Sequence, residues 1–516
     1  MGGTKVERER KFEGGGAETR LSARGLPGVV DVVAAPDEDL DAVYYDTPDL
    51  RLLARDATLR KRCGGHDAGW HLKRRIDADR REELQVPEGA PGAAEDAVPD
   101  ALRRRVTALA RGVPLVPVLR MRTRREREQL VDAHGAPLAE VAHDHVAAEV
   151  LESPGRAEAW SELEVELTGD GEGAGADGLL DAVEKQLGRH GWHRSDHASK
   201  TARVFENDVE APRRPRAGTI GHVVYARIAE QTRELLAADA AVRVDSDDGV
   251  HDMRVAARRL RSVLRSYRRY LKRSTTDPIA DELRWLGRVL GDARDHQVLA
   301  ERLRDRAGLL AEHADAATAA ELAVVATTAY GTETEAYRAA YVDAVDELER
   351  ERYFRLLDAL EAVIAEPPLR PKRARKDADD EVRRVLGREQ KRVGKRMEPA
   401  LAAPGGAEGD QALHSARKAA KRARYAAEAG VPALGGRAER AATRVKRMQR
   451  LLGEHQDAVV SRSALRRLAA DAHAARANTF AYGVLYAAEQ RTAEDVEAQV
   501  PEAWRRARKA LRKAAS

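Results

Sequence analysis

The stretch VERERKFE, residues 6–13, alternates Glu7, Glu9 and Lys11 with Arg8 and Arg10, leaving Val6 and Phe12 as its apolar residues. A strand presents every second side chain on the same face, so both faces of this strand are charged. An open sheet needs an apolar face to pack against a core. A closed barrel is freer, because its lumen can be lined with charge and hold a charged ligand. Four further segments carry charge at every second position. ATLRKRCG aligns Arg60 with Arg62, and GWHLKRR aligns His71 with Lys73 opposite Trp70 and Leu72. VLRMRTRRERE aligns Arg120, Arg122 and Arg124, and WSELEVEL sets Glu162, Glu164 and Glu166 against Leu163, Val165 and Leu167. A charge run on one strand is usually a solvated face. Five such strands, two acidic and three basic, point instead to one lumen with carboxylates on one side and Arg and Lys on the other. That separation suits a phosphate chain bound together with divalent cations, since guanidinium and ammonium groups grip phosphoryl oxygens while hard Mg²⁺ or Mn²⁺ bridges them to carboxylates.

The texture of the chain divides it. Up to about residue 206 short alternating segments sit between Gly-, Pro- and Asp-rich turns. NDVEAPRRPRAG (207–218) breaks that pattern and reads as a linker. From 219 to about 512 the chain reads as long helices rich in Ala, Leu, Arg and Glu, split by EPPLRPKRARKDADD (366–380) into halves of about 219–365 and 380–512. The halves repeat one another. VHDMRVAARRLRS (250–262) answers to LHSARKAAKRARY (413–425), and LGRVLGDARDHQVL (286–299) to MQRLLGEHQDAVVS (448–461). The fold class is therefore α+β, a strand-rich domain followed by an all-helical one with pseudo-two-fold symmetry.

Aromatic residues are 4% of the 516-residue chain, so the cores must be built mainly from Ala, Leu and Val. A single cysteine, Cys63, excludes an internal disulfide and a thiolate metal cage. With no apolar leader and no run of about 18 apolar residues, the expectation is a soluble, cytoplasmic protein that does not engage a membrane.

The first domain resembles the CYTH domain of the triphosphate tunnel metalloenzymes. Glu7-x-Glu9-x-Lys11 is similar to the family's ExExK signature, and the likeness continues through YYDTPDLRLLARDATLRKR (44–62), WHLKR (70–74), SELEVE (161–166) and SDHASKTAR (195–203). The resemblance implies an eight-stranded antiparallel tunnel holding two divalent cations, Mg²⁺ or Mn²⁺, and hydrolysing a triphosphate or transferring from it. It implies Glu7, Glu9, Glu162 and Glu164 as metal ligands. Lys11, Arg60, Arg62, Lys73, Arg120, Arg122, Arg124 and Lys200 would contact phosphates, with the match between Arg120 and Arg124 left open. Lys11 and Asp144 would stand nearest the chemistry, Asp144 helping to place metal or water. Glu166 is one carboxylate more than the resemblance requires.

In the helical half, His251, Arg254, Arg258, Arg261 and Arg265 fall within roughly 80° of one helix face, and His414, Arg417, Lys421 and Arg424 fall on the matching face of the second copy. Such stripes repel themselves unless an anion lies along them. This half resembles the CHAD domain, marked by histidine-led basic helices of the form HxxRxxxRRLR, and the resemblance implies a basic central surface that binds inorganic polyphosphate. Asp295 and Asp457 are expected to orient the basic side chains rather than touch the ligand. Histidine contacts would make binding tighter on the acid side of neutrality.

Together these features predict a metal-dependent inorganic triphosphatase acting on short polyphosphate, joined to a polyphosphate-binding module and associated in the cytoplasm with polyphosphate granules. The alternatives are a non-catalytic polyphosphate-binding protein, or a hydrolase or cyclase acting on nucleoside or thiamine triphosphates. Nucleic acid is a disfavoured partner, because stacking aromatics are scarce.

Overall fold

The computed structural model describes residues 4–15, 19–76, 79–89, 97–153, 155–169, 176–209, 212–403 and 405–516. The chain forms two compact units, Met1–Glu210 and Ala211–Ser516. Residues 210 and 211 of the stretch read as a linker lie outside the described residues.

The first unit runs β1 (Thr4–Gly14), β2 (Asp31–Asp46), β3 (Ala57–Cys63), β4 (Gly69–Arg75), β5 (Arg80–Pro87), α1 (Asp100–Ala110), β6 (Val116–Val131), β7 (Pro137–Val150), β8 (Ala157–Leu167), α2 (Ala176–Gly188), β9 (Trp192–Arg194) and α3 (Lys200–Val204). Strands are ordered β5-β4-β3-β2-β6-β7-β8-β1, and β1 also pairs with β5, so eight antiparallel strands close into a barrel. The short β9 adds only to the far end of β1, opposite Phe12–Gly14.

The barrel is apolar on the outside where α2 covers it and polar around its central cavity. Phe12, Leu163, Val165 and Leu167 turn away from the lumen and pack with Leu179, Leu180, Val183 and Leu187 of α2. A second core lies on the inner face of the wall, where Leu119, Val146, Ala148 and Trp160, in register with Met121 and Asp144, pack against Val204 and Phe205 at the end of α3. This resolves the strand with no apolar side. Glu7, Glu9 and Lys11 face the lumen, while Arg10 on the opposite face is buried by ion pairs to Asp79, Asp181 and Glu184 at 3.0, 2.8 and 2.8 Å. Asp46 anchors the turn that delivers β3 by accepting from the backbone N–H groups of Thr47, Leu52 and Leu53 at 2.7, 2.8 and 2.9 Å.

The second unit is helical: α4 (Ile220–Val242), α5 (Gly249–Ser266), α6 (Arg273–Ala311), α7 (Ala316–Leu348), α8 (Glu351–Ala365), α9 (Pro371–Ala374), α10 (Ala378–Ala402), α11 (Ala407–Ala429), α12 (Val431–Leu434), α13 (Gly436–Ala474) and α14 (Phe480–Ala515). Helices α4–α7 correspond in order and length to α10, α11, α13 and α14. One core joins the two long hairpins, with Leu299, Leu303, Leu322 and Val325 from the first meeting Leu465, Leu468 and Leu485 from the second. Among the described residues no helix is long and apolar enough to cross a membrane.

Candidate functional site

Every second residue of the barrel strands converges on a cavity of about 530 Å³. Its walls carry Glu7, Glu9 and Lys11 from β1, Arg60 and Arg62 from β3, Lys73 from β4, Asp144 from β7 and Glu164 from β8, together with Lys200. Glu162 points toward the same group, its Oε1 2.7 Å from the Lys200 ammonium. Lys200 opens α3, whose N-cap Ser199 accepts from the Ala202 N–H at 3.0 Å and so aims the lysine inward.

The third basic stripe is different. The side chains of Arg120, Arg122 and Arg124 are 42%, 65% and 66% exposed, on the outer face of β6. Arg120 is held there by a bidentate pair with Asp41, at 2.9 and 2.6 Å. The inward residues of β6 are Met121, Thr123 and Arg125. Directly opposed residues on neighbouring strands share a face, and the β6–β7 register sets Arg125 opposite Asp144 and Arg124 opposite His145. Arg125 therefore takes the place expected for the even-numbered arginines. It donates to both oxygens of Asp144 at 2.7 Å and to Glu164 at 2.8 Å.

Arg81 and Glu83 of the lumen also lie outside the sequence expectation. Arg81 of β5 pairs with Glu9, and Glu83 accepts from His71 Nδ1 at 2.8 Å while standing 3.4 Å from Lys73. Their segment, RREELQVP, mixes both signs without a clean stripe, so alternation alone does not single them out.

The lumen has two groups of three carboxylates, Glu7/Glu9/Glu166 and Asp144/Glu162/Glu164, each with ligand oxygens within 4.8 Å of one another. All-oxygen donor sets of this kind fit hard divalent cations such as Mg²⁺ or Mn²⁺, so the residues present fit the metal that the fold implies. Charge is unevenly compensated. Burial pushes Glu7 up to about 8 despite Lys73. Burial also opposes ionisation of Glu9, but Lys11 and Arg81 hold it at about 2. Against the same cost, Lys11, Lys200 and Arg125 keep Glu164 well below the usual carboxylate range. On the far wall, burial followed by Arg60 and Arg125 lowers Arg62 to about 9; Arg62 pairs with Asp67, and among the described residues the Nε atoms of Arg60 and Arg62 have no hydrogen-bond partner.

The helical stripes lie on α5 and α11. Arg254 donates to the Gly291 carbonyl at 2.6 Å and to Asp295 at 3.1 Å. Its counterpart Arg417 stands 3.9 Å from Asp457. Arg258 donates through Nε to the Tyr425 hydroxyl at 3.0 Å. Burial and then Arg417, Arg258 and Arg254 drive Lys421 down to about 7, so cations of both copies meet around one lysine. Burial followed by Arg265 and Arg284 lowers Arg261 to about 10. The stripe ends carry acids: Arg265 lies 3.5 Å from Asp281, and Arg424 donates to Glu428 at 2.6 Å. Both leading histidines are shifted toward the neutral form, His251 by burial and then Arg294, His414 by burial and then Lys418.

A closed barrel with a lumen of interleaved carboxylates, ammonium and guanidinium groups, followed by a duplicated helical unit, defines a protein of the triphosphate-tunnel class with a helical partner domain. The CYTH domain model matches residues 5–203 and the CHAD domain model residues 226–466, and the chain belongs to the CYTH–CHAD family. The uncharacterized protein Rv2226 of Mycobacterium tuberculosis is 37% identical over 524 residues, covering 99% of this chain and 98% of that protein. Among solved structures, PptA from Streptomyces chartreusis is 21% identical with a TM-score of 0.46, covering 56% of this chain and 99% of its own. The CHAD domain from the plant Ricinus communis is 26% identical with a TM-score of 0.44, covering 57% of this chain and 97% of its own.

Proposed function

We propose that the barrel hydrolyses inorganic triphosphate and short polyphosphate with a divalent cation, and that the helical unit binds longer polyphosphate chains. The observation that carries the first part is the lumen itself: two carboxylate triads on one side and buried, incompletely paired guanidiniums, Arg60 and Arg62, on the other. Phosphoryl transfer to water asks a protein mainly for positioning and charge neutralisation. Arg60 and Arg62 would hold the non-reacting end of the chain. Lys11, Lys73, Arg81, Arg125 and Lys200 already contact carboxylates and would exchange them for phosphoryl oxygens. Glu7, Glu9, Glu162 and Glu164 would hold the cation, which when bound neutralises phosphoryl oxygens and lowers the pKa of water. Asp144, fully buried and pinned by Arg125, would help to orient the water.

Among the described residues, Tyr44 is the aromatic side chain of the lumen that stands beside the arginines, and its hydroxyl already accepts from Arg60 at 3.2 Å. With so few aromatic side chains among the described lumen residues to stack on a base, inorganic chains are favoured over nucleotides. For the helical unit, the support is the meeting of Arg254, Arg258 and Arg417 around Lys421, whose charged form they disfavour. A polyanion would relieve that repulsion. Placing both sites on one chain would raise the local substrate concentration at the lumen.

The test is phosphate release from tripolyphosphate, ATP and long polyphosphate with Mg²⁺, Mn²⁺ or EDTA. Metal-dependent release from tripolyphosphate exceeding that from ATP is expected, and Glu7→Ala with Glu9→Ala should abolish it. No metal-dependent release from any of the three would leave a binding protein.

A further inference from the structure

The two carboxylate triads differ in what already fills them. In the Asp144/Glu162/Glu164 group one atom sits among all three acids: the Lys200 ammonium is 2.9 Å from Asp144 Oδ2, 2.7 Å from Glu162 Oε1 and 2.6 Å from Glu164 Oε1. Arg125 adds bonds to Asp144 and Glu164, Lys11 contacts Glu164, and the indole N–H of Trp160 donates to the second oxygen of Glu162 at 2.6 Å. Three carboxylates thus meet three cations. No single cation serves the Glu7/Glu9/Glu166 group in this way. Lys73 contacts Glu7 at 2.5 Å, Arg81 contacts Glu9, and Lys5 lies 2.9 Å from Glu166 and 3.7 Å from Glu7. Glu83, a fourth acid of this region, also draws on Lys73 at 3.4 Å. The Lys5 side chain is half exposed, whereas Lys73, Arg81 and Lys11, the last 3.5 Å from Glu9, are largely buried but each reach one acid of this group. A buried carboxylate group needs a cation, and the first triad lacks a central one while the second has one covalently attached.

Building on the reading of the lumen as a divalent-cation site, we infer that Lys200 is the resident cation of the Asp144/Glu162/Glu164 triad, closing it to a divalent cation until a phosphate chain draws the ammonium away. The phosphate-free protein then takes up one divalent cation in the lumen, at Glu7/Glu9/Glu166. The second is admitted together with the substrate. Lys200 is therefore a positioning residue for metal uptake as well as a phosphate contact. The exchange is balanced in charge, because the ammonium that leaves three carboxylates gains phosphoryl oxygens and the entering cation replaces it.

Mn²⁺ titrated into the full-length protein without phosphate, with free Mn²⁺ read from its EPR signal, tests this. The wild type should bind one Mn²⁺ tightly, and Glu7→Gln with Glu9→Gln should remove it. Lys200→Met should bind a second at least about tenfold more tightly than the wild type does, and adding Glu162→Gln to Lys200→Met should abolish that gain. Glu162→Gln in the wild-type background should leave the tight stoichiometry unchanged, an arm that does not depend on the folding of Lys200→Met. Two tight Mn²⁺ ions in the wild type, no gain in a folded Lys200→Met variant, or loss of a tight ion in Glu162→Gln would each overturn the inference. Crystals with Mn²⁺ should show one anomalous peak in the lumen alone and two with imidotriphosphate, and a single peak in both would overturn the release step. These counts are independent of turnover, so failure to release phosphate would refute the proposed reaction without touching them.

Discussion

Arg122 and Arg125 are three residues apart on β6 and face opposite sides of the barrel wall. The Arg122 side chain is 65% exposed and that of Arg125 is 17% exposed, bonded to Asp144 and Glu164. Removing the buried guanidinium leaves two buried carboxylates short of a partner and takes away a proposed phosphate contact. Arg125→Ala should therefore cost about a hundredfold in kcat/KM for tripolyphosphate, about 2.7 kcal/mol, whereas Arg122→Ala should stay within about twofold. Equal losses in steady-state kinetics would reverse the assignment of faces. In the helical unit the decisive residue for pH is Lys421. Burial and three arginines bring it from 10.5 to about 7, and a bound polyanion favours its ammonium. Affinity for polyphosphate should thus rise as pH falls toward about 7 and level off below it, and Lys421→Met should flatten that profile in a binding titration. Stability has the opposite sign. Between about 7 and 10.5 the folded chain binds fewer protons than the unfolded one, so this group makes the ligand-free protein more stable as pH rises across that window. The histidines expected to carry the pH effect are themselves shifted toward the neutral form, His251 and His414 alike by burial first.

At the scale of elements, the barrel depends on what covers its outside. A polar lumen contributes little hydrophobic stabilisation, so the apolar faces of β1, β7 and β8 must be buried under α2. Leu187 of α2 is fully buried in that layer. Leu187→Ala should lower unfolding free energy by about 2–5 kcal/mol, read as a shifted urea midpoint for the barrel transition. The β6–β7 hairpin shows how much of the site was legible. Its turn, Asp132 to Ala136 with Gly135 at φ 76°, closes a register in which Arg125 opposes Asp144. An inward Asp144 and an inward Arg124 exclude each other, because a one-residue change of parity turns every side chain to the other face. The turn and Asp144 were both readable, so Arg125 could have been found by pairing the strands rather than counting arginines. The outward row was the more regular of the two, which made it the misleading signal. Arg81 and Glu83 had no such handle. They are inward because β5 closes against β1, pairing Arg81 with Glu7, and closure is not a property of either strand alone.

For the whole molecule, the two units carry separable properties. The proposed polyphosphate capture by the helical unit would be electrostatic and should weaken steeply with added salt. It should persist in EDTA and in the Glu7→Ala, Glu9→Ala protein, both of which should lack turnover. Retention of radiolabelled polyphosphate on a filter, measured beside phosphate release, checks this. Loss of capture in the double variant would mean that the lumen, not the helices, holds the long chain.

Local periodicity sufficed for the charged strands, the repeated helices, Glu7, Glu9, Lys11, Arg60, Arg62, Lys73, Glu162 and Glu164, because alternation by two and by about 3.6 residues is written in neighbouring positions. Which of two charged faces turns inward, and which ammonium ends among which carboxylates, was decided by strand register and barrel closure. Those contacts join residues such as Lys200 and Glu162 that lie far apart in the chain, and only the folded backbone brings them within hydrogen-bonding distance.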